Sequence, residues 1–243
     1  MDSSLFIVLL GSLTGSIVQS TIGFGCGIVQ MVFFPLIFNL LHASAISSSI
    51  CIVLTISLAF RFRKYVSLKK VLMPCILYTT ASIITIWIST SLDMHFLVLA
   101  FGAFLIAITL FFFFGKSKIT IRATPLAGAL IAIFSGITGG LFGIGGPLMA
   151  PYYLDATSSK EEYIGTLQTV FACSTFISFF MRIFRGIYTL SLVPATLLGF
   201  FGVALGRVIG LKILDKVSPS LLSKLVYTVI GLSGGLTILT NLS

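Results

Sequence analysis

Apolar residues run through this chain in blocks long enough to cross a bilayer, and polar residues serve mainly as punctuation between them. A membrane-crossing helix needs about 20 predominantly apolar residues. By that measure eight segments emerge, at about 5–41, 44–60, 71–90, 96–114, 124–154, 163–184, 190–214 and 221–239. The strict polar–apolar alternation of a membrane β-barrel is not seen. The pattern predicts an all-α polytopic membrane protein.

Two of these segments are too long for one crossing, and both are interrupted by glycine. The first carries TIGFGCGIVQMVFFPL at 21–36, and the second LFGIGGPLMAPYYL at 141–154. A shift of 120 residues lays Gly23 on Gly143, Gly25 on Gly145, Cys26 on Gly146 and Pro74 on Pro194. Each broken segment is followed by three plain spans, so the chain reads as a duplication. We expect a first membrane repeat at 1–115, a cytoplasmic linker at 116–123 and a second repeat at 124–243. Repeats built on interrupted helices are typical of transporters.

Basic residues help to choose a topology, because cytoplasmic loops carry the Lys/Arg excess. With RFRKYVSLKK inside and each broken segment crossing once, ten of the fifteen basic residues lie inside. If each broken segment is instead a hairpin returning to its own side, thirteen lie inside and only Arg182 and Arg185 lie outside. The hairpin arrangement is favoured and makes the halves inverted. Its glycine turns approach mid-membrane from opposite faces, where irregular backbone survives only against protein or a water-filled cavity. The freed amides at the start of each second half-helix, with the helix dipole, suit an anion.

Composition sharpens this picture. The 243 residues are 57% hydrophobic and 9% charged, with a net charge of +9. That charge belongs to cytoplasmic loops and not to a nucleic-acid surface, so no nucleic-acid partner is expected. The four cysteines lie inside apolar segments without paired spacing, so neither a disulfide framework nor a metal site is expected. All six acids and both histidines fall at segment ends or in loops. A buried carboxylate relay for proton coupling is therefore missing. So are a carboxylate cage for a cation and a base to activate a serine. No cofactor and no enzyme activity are expected.

The candidate binding groups are the polar and glycine residues around the breaks. They comprise Gln19, Ser20, Thr21, Gly23, Phe24, Gly25, Cys26, Gly27 and Gln30 at the first break, with Ser48 in the following span. Gly143, Ile144, Gly145 and Gly146 form the second break, with Thr166, Gln168, Thr169 and Arg182 in the span after it. For Ser, Thr and Gln the competing explanation is interhelical hydrogen bonding. For Arg182 it is an interface anchor whose stem snorkels, against a funnel for anions. Gly199, Gly202, Gly206 and Gly210 read as a close-packing seam.

The two glycine breaks with their following prolines, in GSIVQSTIGFGCGIVQMVFFPL (15–36) and SGITGGLFGIGGPLMAPYYL (135–154), resemble the TauE/SafE sulfite-exporter family. GTLQTVF at 165–171 sits where that family often has a Gly-Thr-Ser-type stretch. The resemblance implies a multi-pass transporter of the cytoplasmic membrane for a small anionic substrate, sulfite or an organosulfonate such as sulfoacetate. Cys26 and Gln168 depart from the family pattern and bear on which anion is taken. The expected mechanism is alternating access, with one half rocking against the other and the anion held at mid-membrane. Partners beyond substrate and lipid bilayer reduce to a homodimer, which the sequence leaves open. An anion channel and a non-transporting scaffold or assembly subunit are the alternatives.

Overall fold

A computed structural model describes residues 3–115, 122–213 and 219–241, and the described residues are helical, without strands. The first half contains α1 (Ser3–Ile22), α2 (Cys26–Phe33), α3 (Leu40–Arg61), α4 (Leu68–Ser89) and α5 (Met94–Leu110). The second contains α6 (Pro125–Phe142), α7 (Gly146–Ala156), α8 (Lys160–Phe184), α9 (Val193–Ile213) and α10 (Pro219–Asn241). Seven of these helices are long and apolar enough to cross a membrane among the described residues. Most of the linker expected at 116–123 lies outside the described residues.

Helix ends follow local chemistry. Asn39, Asp93, Thr124 and Ser159 cap α3, α5, α6 and α8, accepting from the amides of His42, Phe96, Ala127 and Glu162. Pro125 stands at the start of α6, where its missing N–H costs nothing. The breaks need glycine for a different reason. Gly23, Gly25 and Gly143 have φ of 87°, 116° and 70°, the left-handed region that a Cβ disfavours. Three boundaries repeat with the expected spacing. Ile22 and Phe142 end a helix, Cys26 and Gly146 start one, and Leu40 and Lys160 start the next.

Each broken segment folds back as a hairpin. In the first, a Cβ on Gly15 would stand 2.9 Å from the carbonyl of Cys26, while one on Gly11 would stand 3.2 Å from Phe34. Gln30 Nε2 donates to Ser12 Oγ between them at 3.4 Å. α2 therefore retraces α1 in the opposite direction. In the second, the amide of Ala123 before α6 donates to Asp155 near the end of α7 at 2.7 Å, so that hairpin also closes at its own base.

The hairpins do not pack chiefly on their own halves. α1 lies along α9, where Gly202 abuts Leu9 and Ser12, and Gly210 abuts Ile17 and Ser20. The Gly199–Gly210 row is thus a close-packing seam, and the two helices run parallel. α6 lies parallel to α4 in the same way, with Gly136 against Tyr78 and Ala81, and Gly140 against Ser82 and Thr85. α3 and α8 run antiparallel, as shown by the pairs Ser44–Arg182 and Phe62–Gly165. α5 and α10 are antiparallel too, with Gly102 beside Ile238 and Thr109 beside Gly231.

Candidate functional site

The two hairpin tips meet. A Cβ on Gly27 would stand 2.6 Å from the carbonyl oxygen of Gly143, and one on Gly146 would stand 3.0 Å from Phe24 Cβ. Beside this contact is a cavity of about 50 Å³, room for a few waters or one small oxyanion. Gln19, Gly25 and Gly27 line it from the first hairpin, and Gly143, Ile144, Gly145 and Gly146 from the second. All seven are expected site residues. Cys51 and Thr55 of α3, Tyr78 of α4, and Phe171 and Thr175 of α8 complete most of the wall.

The remaining expected residues are placed around that cavity and not on it. Gln168 Nε2 donates to the Gly23 carbonyl at 2.6 Å, and its Oε1 accepts from Gln19 Nε2 at 3.1 Å. Gln19 Oε1 in turn accepts the amide of Cys26 at 3.1 Å. This relay satisfies backbone groups freed by the first break, whose burial unpaired would cost about 1–3 kcal/mol each. Tyr163 adds a further bond, its hydroxyl donating to the Ile22 carbonyl at 3.1 Å. Gln30 ties the hairpin to α3, where Ser47 Oγ donates to its Oε1 at 2.8 Å.

Smaller polar groups are likewise engaged in packing. Thr21 donates to the carbonyls of Ile17 and Gly210. Ser48 and Thr169 donate to the carbonyls of Ser44 and Gly165 one turn back. Thr166 accepts the Ser67 amide at 3.3 Å. Cys26 opens α2 with its side chain against Gly15. Gly23 packs on the Tyr163 ring, and Phe24 stacks on Phe112 with centroids 6.3 Å apart. Ser20 is buried against Gly210, and its hydroxyl has no partner among the described residues.

Arg182 is neither a snorkelling anchor nor a surface funnel, because it is 0% exposed. Its guanidinium donates to Ser44 Oγ at 2.7 Å and to the carbonyls of Gly140 and Gly139 at 2.7 and 3.3 Å, while Nε has no partner among the described residues. Those carbonyls end α6, the negative pole of its dipole, where a cation is favoured. The described acids are engaged elsewhere or lie apart. Asp93 caps α5, Asp155 accepts from Ala123, and Glu162 pairs with Lys70 at 2.7 Å. Arg182 is therefore a buried cation without a carboxylate partner among the described residues.

Cys51, Thr55, Phe171, Thr175 and Tyr78 line the cavity without having been expected to, and Tyr78 is the one with a phenol. It lies in the middle of a plain span, outside both glycine breaks, and no repeat match points to it. The available signal was a tyrosine followed by two threonines in an otherwise apolar stretch, since a buried phenol needs a partner for its hydroxyl.

Helical hairpins broken by glycine, meeting around a small polar cavity within a bundle of membrane-length helices, define a multi-pass membrane transport protein. The sulfite exporter TauE/SafE family model matches residues 7–237, nearly the whole chain. The chain belongs to that family. Membership makes it a membrane transporter of sulfur-containing anions and not an enzyme. No curated protein and no solved structure matches it.

Proposed function

We propose that the protein exports sulfite, or a small organosulfonate such as sulfoacetate, across the cytoplasmic membrane by alternating access. The observation that carries this reading is the cavity between the two breaks, bordered by Gly25, Gly27 and Gly143–Gly146. Free amides of the half-helices supply donors. The uncompensated charge of Arg182, one layer behind Gly143 through Ser44, makes the region favourable for an anion. With no intramembrane carboxylate among the described residues, export is driven by the inside-negative potential. That potential is worth about 2.3 kcal/mol per charge per 100 mV.

The halves 1–115 and 124–243 serve as inverted repeats in this reading. The antiparallel pairs α3–α8 and α5–α10 support it, as do the hairpins that return to their own sides. Because α1 packs on α9 and α6 on α4, the moving bodies are α1–α2–α9 and α4–α6–α7, each drawn from both halves.

The test is sulfite efflux from proteoliposomes under a potassium-valinomycin potential. Efflux should be saturable and should accelerate when the inside is made negative. Potential-independent efflux would refute the driving force, and non-saturating currents would indicate a channel.

A further inference from the structure

Tyr78 is buried at 6% exposure, yet its hydroxyl forms no hydrogen bond among the described residues. It lines the cavity. A Cβ on either Gly139 or Gly145 would collide with that hydroxyl, so both glycines make room for the ring. Gly145 is the N-cap of α7, and no side chain caps that helix. Among the described residues, no group accepts from the amides of Gly145, Gly146 or Leu148, and Pro147 between them has no N–H. A phenol without an acceptor thus stands over a helix start whose amides also lack acceptors.

The first break differs. Gln19 Oε1 already accepts the leading amide of α2, and the Gly143 carbonyl lies against Gly27. The amides of Gly27 and Ile28 also lack acceptors among the described residues, but the Tyr78 hydroxyl stands at the second tip, beside Gly145.

We propose that Tyr78 is a substrate ligand, its hydroxyl donating to an oxygen of the oxyanion seated on the amides of Gly145 and Gly146. This rests on the anion-transport reading and assigns the binding contact to one of two breaks that looked equivalent in sequence. A compact oxyanion standing between the phenol and the amides accepts from both together. In a cavity of about 50 Å³ such an ion fits better than a long-tailed sulfonate.

The test is sulfite binding to the purified full-length protein, by titration calorimetry and by ligand-induced thermal shift. Tyr78→Phe removes only the hydroxyl. It should weaken sulfite binding about tenfold or more, equivalent to about 1.4 kcal/mol, while the melting temperature without sulfite holds or rises. Unchanged affinity in Tyr78→Phe would overturn the assignment and leave the transport reading standing. If the wild-type protein binds neither sulfite nor sulfoacetate, the transport reading itself fails, and the assignment with it. Should Tyr78→Phe not fold, a ring-fluorinated tyrosine at 78 keeps the shape with a more acidic hydroxyl. It must then tighten sulfite binding, and equal affinity would overturn the proposal.

Discussion

Substituting Gly27 by alanine probes the contact between the hairpin tips directly. The added Cβ would stand 2.6 Å from the Gly143 carbonyl oxygen and 3.6 Å from Ser47 Oγ. A close C–H···O contact needs about 3.3 Å, so the shortfall is about 0.7 Å. The obstructing atom is backbone, in a turn held at φ 70° and bonded to Gly139, so it cannot rotate aside. Overpacking of this kind costs about 1–3 kcal/mol. For a chain of this size that is roughly 2–4 °C per kcal/mol, so the melting temperature should fall by roughly 2–12 °C. Gly235→Ala is the matched control. Among the described residues nothing lies within 4 Å of its Cβ position inside α10, and removing a helical glycine should stabilise by about 0.5–1 kcal/mol. Thermal unfolding of the two purified variants beside the wild type decides the matter. If Gly27→Ala melts with the wild type, or both variants shift alike, the tips do not meet at this distance.

Four further outcomes follow from the same geometry. Gln168→Leu strips the donor from the buried Gly23 carbonyl and should destabilise by about 1–3 kcal/mol, read as an earlier melting transition. Arg182→Lys keeps the charge and should retain most sulfite affinity, whereas Arg182→Gln should lose about tenfold, or about 1.4 kcal/mol; equal affinities in titration would remove charge from the explanation. A double-mutant cycle on Lys70 and Glu162, whose side chains are 36% and 18% exposed, should give a coupling of only about 0.2–1 kcal/mol. Cysteines placed at Lys64 and Gly186 should react with impermeant label from opposite sides of intact cells, and labelling from one side would exclude inverted halves.

The architecture was legible in the sequence because bilayer thickness fixes helix length and glycine marks where helices stop. The 120-residue spacing of Gly23 and Gly143 anticipated helix boundaries that repeat at Ile22/Phe142 and Cys26/Gly146. The basic-residue count pointed to hairpins, and the Ala123–Asp155 bond closes the second of them. Partner choice was not legible. Nothing in the row Gly199, Gly202, Gly206 and Gly210 states that its partner is α1, because a small-residue seam accepts any helix of complementary shape. The site was half legible for a related reason. Backbone breaks leave a glycine signature, whereas no pattern in the sequence tells that Gln30 bonds Ser47 or that Gln168 bonds the Gly23 carbonyl. The burial of Arg182 was hidden by its place near a helix end, where arginines ordinarily reach water.

The pairing of α1 with α9 also sets a timetable for synthesis. Thr21 and Gly210 share a hydrogen bond across 189 positions. A ribosome adding about 5–20 residues per second delivers that partner roughly 10–40 s after α1 has emerged. Through this interval Ser12, Ser16 and Ser20, buried in the finished protein, lack the helix that covers them. Helix α1 pairs with α2 at once but waits for α9, so a hydroxyl-lined face stays open to lipid or to the insertion machinery until the second half has been made.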